Sequence, residues 1–275
     1  MKPQSEKLDH QTGPSKGTIG RYVKSCMNAD SGYAFTRGVD SNAQDTYFAL
    51  ATMAILGMEV RKKEQTKAWL RSYPVNDIRS LYYVTFSLSM LNEEPPGCSH
   101  EILASFRLNQ DSLYVGLSEF ESLFMYSCLV KRLDRQMETD GILRFLLKFR
   151  NRDGGFGGNS HSNLVATYHA VSALDNLGFD VDGLNSTKDF VRACERTQGG
   201  FDLVPNAHIS YLDGTYAGIE LLEIFGLRPR YPQECIRSIT EAFRFNGGFA
   251  RTRIGIPTLE NTFYAVSSLM KLDYF

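Results

Sequence analysis

Hydrophobic residues along most of the chain recur at the spacing of a helix that buries one face. Segments that are apolar on most of their surface alternate with segments that are apolar on one face only, which places the former inside and the latter outside. The apolar segments are 43–56, 78–91, 118–130, 164–177, 213–225 and 259–272, and the amphipathic ones are 17–27, 62–72, 99–108, 134–149, 187–195 and 232–243. The pattern predicts an all-α protein of about twelve paired helices.

A short glycine-aromatic phrase precedes several of the apolar segments. Its clearest copy is Asp-Gly-Gly-Phe-Gly-Gly at 153–158, Gly-Gly-Phe returns at 199–201 and 247–249, and a weaker copy lies at 30–33. A threonine follows each clear copy, and these threonines recur about every 47 residues. Such a period is typical of stacked helical pairs. The threonines are Thr167, Thr215 and Thr262. Because the pairing has a clear beginning and end and no polar capping repeats, we expect a closed (α/α)6 toroid of six inner and six outer helices.

The overall composition is that of an ordinary globular protein. A net charge of −1 gives no electrostatic case for binding nucleic acid or an anionic membrane surface. No apolar run is long enough to span a bilayer, and residues 1–16 lack the apolar core of a secretory signal. We expect a disordered tail over 1–16, a single domain over 17–275 and a cytoplasmic location.

The five cysteines are scattered along the chain, and no Cys-x-x-Cys occurs among them. An odd number of scattered cysteines argues against a disulfide framework and against a structural zinc site. We expect most of them to be small buried hydrophobic residues.

The phrase at 154–158, followed by Asn-Leu-Val-Ala-Thr-Tyr at 163–168, resembles the repeat of protein prenyltransferase β subunits and class II terpenoid cyclases. The resemblance is strong over 150–275, moderate over 30–57, and limited to a helical rhythm over 75–130. It implies an (α/α)6 toroid whose bore holds an isoprenoid or a prenyl diphosphate. The repeat is specific for the fold and does not specify one activity, because a fold does not fix function.

The zinc site that the resemblance implies lacks two of its ligands in this sequence. The family binds zinc through the Asp and Cys of Asp-Gly-Cys-Tyr and through a later His. Here Asp213 is kept, whereas Thr215 stands at the Cys position and Asn261 at the His position. One carboxylate with a hydroxyl and an amide does not suit zinc. We therefore predict no metal and no other cofactor.

The diphosphate site of the family is also changed. Of its His, Arg, Lys and Tyr, only the Tyr matches, at Tyr216, while Asn163 stands at the His position. Four residues in equivalent loops of the last three repeats are candidates to rebuild an anion site at one rim of the toroid. They are His161, His208, Arg251 and Arg253. The alternative interpretation is that these are exposed loop residues with no joint role.

Class II cyclases protonate an alkene with the middle Asp of Asp-x-Asp-Asp-Thr. Residues 42–46 occupy that register, but Gln44 replaces the acid, and an amide cannot deliver a proton as a carboxylic acid does. Asp213 and Glu260 stand two residues before their threonines in later repeats, and Asp45 remains in the first. At an apolar cavity mouth their pKa would be raised, which makes them candidate acids or bases. Alternatively, they stabilise the N-termini of their helices.

Aromatic residues follow the threonines of the repeats. They are Tyr47, Tyr168, Tyr216 and Phe263, with Phe124 and Tyr83 as candidate members from the weaker repeats. Such a set could line the bore, hold an isoprenoid and stabilise a carbocation through its π faces. The alternative is that the rings are core residues wedged between the inner helices.

Three functions stay open from the sequence. The first is a metal-independent prenyltransferase-like or terpene-cyclase-like enzyme that holds an isoprenoid or prenyl diphosphate in the bore. The second is a non-catalytic toroid that binds a lipid or a protein partner. The third is a β-like subunit that needs an α partner.

Overall fold

The computed structural model describes residues 13–36, 38–107, 116–133 and 139–275. Most of the predicted N-terminal tail, residues 1–12, lies outside the described residues, as do residues 108 and 134–138 of two predicted helices. The first helix begins at Lys16, because the Ser15 hydroxyl accepts a hydrogen bond from the Thr18 N–H at 3.2 Å and caps the helix. Lys16 therefore belongs to the helical domain and not to the tail.

The described residues form twelve α-helices, and their extended segments pair only as isolated bridges. The helices are α1 (Lys16–Ser25), α2 (Ala43–Ile55), α3 (Lys63–Ser72), α4 (Ile78–Met90), α5 (Ser99–Ser105), α6 (Leu117–Arg132), α7 (Asp140–Lys148), α8 (Leu164–Asn176), α9 (Asn185–Cys194), α10 (Leu212–Ile224), α11 (Pro232–Glu241) and α12 (Leu259–Lys271). None of these helices is long and apolar enough to cross a membrane. The cytoplasmic location stays a prediction.

The even-numbered helices form the inner ring of the toroid. Each packs against the next in order, and α12 packs against α2 and closes the ring. The odd-numbered helices coat this ring, with α9 on α10 and α11 on α12 as examples. Helix α8 is buried on most of its surface, whereas α9 buries only one face, as the hydrophobic pattern requires. The predicted closed (α/α)6 toroid is confirmed.

The glycine-aromatic turns wedge a large ring between helix pairs. Tyr33, Phe156, Phe201 and Phe249 are all completely buried. In the clearest copy, the Phe156 N–H donates to Thr167 Oγ1 at 2.9 Å, and the Thr167 hydroxyl donates to the Asn163 carbonyl at 2.8 Å. The threonine hydroxyls of the other copies, including the weak first one, accept the same backbone hydrogen bond. The recurring threonine therefore fastens each turn to the inner helix that follows it.

Gly154 lets its turn approach the outer helix closely. It has a φ of +90°, and a Cβ at this position would lie 2.0 Å from the Ser186 carbonyl oxygen at the start of α9. Gly178 ends α8 with a similar φ of +83°, but a Cβ there would have nothing within 4 Å. The two glycines therefore share a left-handed backbone and differ in the space around them.

Gly154→Ala should destabilise the protein more than Gly178→Ala does. Both substitutions carry the cost of a left-handed alanine, about 1–2 kcal/mol. Gly154→Ala must in addition displace the Ser186 backbone, and forcing atoms into packed space costs about 1–3 kcal/mol more. Urea unfolding of the two variants measures the difference. Equal losses would show that the turn can move away from α9 freely.

Candidate functional site

Each inner helix contributes one aromatic side chain to a layer across the bore. These six rings, the aromatic layer, are Tyr47, Tyr82, Phe124, Tyr168, Tyr216 and Phe263. Neighbouring centroids are 5.6–6.2 Å apart, and the Tyr47–Phe263 contact closes the circle. Five of the six aromatic residues singled out from the sequence belong to this layer, and the sixth, Tyr83, does not. On α4, Tyr82 contacts Phe124, whereas Tyr83 contacts Tyr47 but no ring of α6.

A cavity of about 230 Å³ lies at the N-terminal ends of α6, α8, α10 and α12. We call it the mouth cavity. Tyr168 and Tyr216 belong both to its lining and to the aromatic layer, so the cavity borders the layer at these two rings. The remaining lining residues are Leu117, Glu121, Val165, His169, Asp213, Ala217, Arg251, Glu260, Asn261 and Tyr264. Aromatic faces and carboxylates therefore face the same space.

Two of the three carboxylates in the mouth cavity are neutralised by arginines. Arg251 donates from Nε and Nη2 to the two carboxylate oxygens of Asp213, at 3.1 and 2.9 Å. Arg79 forms an ion pair with Glu121. Glu260 makes no ion pair within the described ranges, and its carboxylate accepts a hydrogen bond from the Tyr264 hydroxyl at 3.0 Å. Glu260 is thus the one carboxyl group in this lining without a cationic partner among the described residues.

Burial raises the pKa of Glu260 above its ordinary value, and the nearby carboxylates of Glu121, Asp213 and Asp45 raise it further. The hydrogen bond from Tyr264 opposes this shift. The pKa of Glu260 is raised overall, which favours the protonated carboxylic acid. This is the form that can donate a proton.

Asp45 lies in the first turn of α2 and contacts the loop that precedes this helix. Its carboxylate accepts hydrogen bonds from the Phe35 N–H at 3.2 Å and from Asn42 Nδ2 at 2.8 Å. It does not line the mouth cavity. Burial raises its pKa as well, but these contacts match the alternative interpretation, in which the carboxylate organises the start of a helix.

The stability of the folded state should fall as the pH rises above the ordinary range of Glu. The pKa of Glu260 is raised on folding, so between the two pKa values the folded state keeps a proton that the unfolded state has lost. The stabilisation is complete below the unfolded pKa and is lost as the pH rises through the folded pKa. Glu260→Gln removes this contribution, so its stability relative to wild type should improve as the pH rises from the ordinary pKa of Glu through the raised pKa of Glu260.

Urea unfolding at several pH values measures this change, and Glu59→Gln, at an exposed carboxyl group, gives the baseline. Parallel pH profiles for wild type and Glu260→Gln would contradict the expectation.

His169 and Tyr264 line the mouth cavity but do not follow from the sequence argument. Each stands two residues after a repeat threonine, so extending the comparison of repeats by one position finds both. Burial lowers the pKa of His169 to about 3, so its ring is neutral, and its Nδ1 has no hydrogen-bond partner among the described residues. Glu121 lies in a weak repeat and gives no such signal.

Of the four predicted cations, Arg251 alone lines the mouth cavity. Arg253 lies outside it, with its Nε 3.8 Å from the Glu241 carboxylate. His161 is exposed and follows a short 3-10 turn. His208 lies in a loop, and its backbone N–H donates to Asp202 Oδ2 at 3.1 Å. The four side chains therefore do not converge on the bore.

The residues at the family's zinc positions do not fit zinc. Thr215 Oγ1 accepts a backbone hydrogen bond from the glycine-aromatic turn. Asn261 donates its amide to Thr258 Oγ1 at 2.8 Å, and both oxygens of Asp213 bind Arg251. A hydroxyl, an amide and a neutralised carboxylate are a poor donor set for this metal. No group of three or more His, Cys, Asp and Glu suited to a metal occurs in the ranges that the structure describes.

Comparison with known proteins places the chain in a family. No curated protein matches its sequence. Candida albicans protein geranylgeranyltransferase-I, complexed with GGPP, is similar in structure, with a TM-score of 0.69 and 14% identity over 96% of this chain and 92% of that chain. Such an identity shows the fold alone. The family model for the prenyltransferase alpha-alpha toroid domain matches residues 6–76 and 120–274, well over half of the sequence. The chain therefore belongs to the prenyltransferase alpha-alpha toroid domain family.

Proposed function

We propose that this protein binds a short isoprenoid in the mouth cavity and that Glu260 acts on it as a metal-independent acid. One observation carries the proposal. Glu260 has a raised pKa and no ion pair in the described chain, and it lines the same cavity as the rings of Tyr168, Tyr216 and Tyr264. An acid next to aromatic faces suits protonation of a double bond, because the rings stabilise the cation that forms.

The size of the mouth cavity limits the ligand. An apolar cavity of about 150 Å³ accommodates benzene. By that measure the 230 Å³ of the mouth cavity suits roughly ten carbon atoms, or about two isoprene units. The aromatic layer blocks further extension along the bore. We therefore expect a shorter chain than that of the GGPP in the related structure.

The proposed chemistry conserves atoms and charge. The carboxylic acid of Glu260 gives its proton to one carbon of a double bond, whose electron pair forms the new C–H bond. The other carbon becomes a carbocation facing the tyrosine rings. Loss of a proton from an adjacent carbon to the Glu260 carboxylate re-forms an alkene and restores the acid. The result of these two steps is an isomerised isoprenoid. Where a second double bond of the same chain attacks the cation before the proton is lost, its electron pair forms a new C–C bond and the product is cyclised. Neither route needs another reactant.

Calorimetric titration with geranyl, farnesyl and geranylgeranyl derivatives tests binding. The ten-carbon chain should bind most tightly. Val165→Phe fills the mouth cavity and should abolish binding, while Val39→Phe, at an exposed position, should not. Binding that is unaffected by Val165→Phe would place the ligand elsewhere.

Incubation in D₂O tests the reaction. A proton from Glu260 exchanges with solvent, so the product should carry deuterium on carbon, as measured by mass spectrometry. Deuterium in the product formed by the wild-type protein, but not in that formed by Glu260→Gln, supports Glu260 as the proton donor. Binding without turnover or deuterium uptake would instead favour the second candidate, a non-catalytic toroid that holds a lipid. The aromatic layer that closes the bore and the changed zinc positions favour that candidate.

A further inference from the structure

The charged groups of the mouth cavity indicate which polar end group its ligand carries. The lining contains the carboxyl groups of Glu121, Asp213 and Glu260, and Arg251 is the single arginine or lysine among the lining residues that the structure describes. Arg251 already binds both oxygens of Asp213. The described lining therefore offers an anionic ligand no unpaired arginine or lysine.

An anionic end group would be repelled by this lining. Arg79, which pairs with Glu121, does not belong to the lining and is committed to that carboxylate. Like charges brought together in a binding site strongly disfavour the complex. A diphosphate carries several negative charges, so the mouth cavity suits an uncharged end group better.

His169 offers the mouth cavity a neutral polar group. Burial lowers its pKa to about 3, and the nearby Arg79 guanidinium acts in the same direction, so the imidazole carries one N–H and one bare nitrogen. Its Nδ1 is buried, and neither ring nitrogen makes a hydrogen bond with the described residues. A buried polar atom without a partner is unfavourable, and a ligand group beside the ring can supply one.

Two aromatic rings hold this imidazole in place. Phe124 stacks on it, with centroids 5.3 Å apart and planes inclined at 20°, and the centroid of the Tyr168 ring lies 5.4 Å away. A group that is fixed before binding loses less conformational entropy when the ligand arrives. His169 lies on α8 and Glu260 on α12, and α10 packs between these two helices. One elongated ligand can therefore contact both side chains, since both line the same cavity.

We infer that the ligand of the mouth cavity is a neutral isoprenoid alcohol, whose hydroxyl group forms a hydrogen bond with His169 while its chain lies against Glu260 and the tyrosine rings. A hydroxyl group both donates and accepts hydrogen bonds, as does a neutral imidazole, so the two match in either tautomer. The inference rests on the proposed function and names its substrate class, an uncharged alcohol and not a prenyl diphosphate.

Calorimetric titration of the full chain with geraniol, with geranyl diphosphate and with the hydrocarbon that lacks the hydroxyl group tests the inference at one chain length. Geraniol should bind at least about tenfold more tightly than geranyl diphosphate, because the carboxylates repel the diphosphate. Equal or tighter binding of the diphosphate would overturn the inference and leave the isoprenoid site itself intact. If none of the three compounds binds, the proposed function fails as well.

His169→Phe keeps an aromatic ring against Phe124 and removes both nitrogens. It should weaken the binding of geraniol about three- to tenfold and leave the affinity for the hydrocarbon unchanged, because only the alcohol loses a hydrogen bond. His161→Phe, at an exposed histidine outside the mouth cavity, should change neither affinity. Equal losses for both ligands in His169→Phe, or no loss for either, would overturn the inference.

Glu121→Gln tests the charge argument independently of His169. It removes a negative charge from the lining and releases Arg79, so the affinity for geranyl diphosphate should rise by about tenfold while that for geraniol stays constant. Glu59→Gln, at an exposed carboxyl group outside the mouth cavity, gives the baseline. An equal change for the two ligands would contradict the exclusion of an anionic end group.

Discussion

Phe249→Ala should lower the free energy of unfolding by about 3–5 kcal/mol. The Phe249 side chain is completely buried and packs against Phe243, with ring centroids 5.2 Å apart and ring planes inclined at 59°. Its removal leaves a cavity at the turn between α11 and α12, whose backbone is fixed by the hydrogen bond to Thr262. Because that hydrogen bond holds the turn in place, the surroundings can relax only partly.

Phe245→Ala is the matched control for this experiment. Phe245 lies four residues earlier and is 90% exposed, so the substitution should change the stability by less than about 0.5 kcal/mol. Urea or guanidinium unfolding of both variants gives the comparison. A loss below about 1 kcal/mol for Phe249→Ala would contradict the role of the turn aromatic as a wedge between helix pairs.

Glu260→Gln should lower the rate of the proposed acid-initiated reaction by about 10²–10⁴-fold, the usual contribution of a positioned general acid. The amide has nearly the same shape, so binding of the isoprenoid should change little. The wild-type rate should be highest at low pH and fall as the pH rises through the pKa of Glu260, because the protonated acid is the active form. The raised pKa of this group extends the active range upward from that of an ordinary glutamate.

Initial rates and binding constants for wild type, Glu260→Gln and Glu59→Gln measure this effect. Glu59 is exposed and lies outside the mouth cavity, so its variant should retain the wild-type rate. Turnover by Glu260→Gln at the wild-type rate would remove Glu260 from the mechanism, even if the isoprenoid binds.

The fold follows from the sequence because local and long-range signals agree. Helix α8 is predicted by a run of apolar residues that is buried nearly all round in the structure, and the observed end differs by one residue. The sequence predicts a complete set of helix pairs, and such a set closes when the last inner helix packs against the first. The contact of α12 with α2 shows this closure. The role of the threonines could not be predicted from the sequence. The Thr167–Phe156 hydrogen bond joins residues eleven positions apart, and the turn between them has no regular repeat from which its geometry could be inferred.

The candidate site could be predicted only in part, because partners in space decide which residues are available. Asp213 and Glu260 occupy the same register and are equivalent in the sequence. The difference is Arg251, which comes from the loop of the next repeat and neutralises Asp213 but not Glu260. Asp45 stands one residue before its threonine and is further set apart by its contacts with Phe35 and Asn42. Register groups the aromatic residues of the clear repeats, whereas in the weak repeat on α4 it selects Tyr83, and the ring that lies between Tyr47 and Phe124 is Tyr82.

The ion pair between Arg251 and Asp213 gives one repeat of the toroid an influence on the acidity of the next. The carboxylate of Asp213 is one of the groups that raise the pKa of Glu260, and Arg251 holds that carboxylate with two hydrogen bonds. A change that draws Arg251 away would leave the charge of Asp213 less compensated, which would raise the pKa of Glu260 further. The conformation of an exposed loop thereby bears on the protonation of a buried acid on the inner helix that follows it.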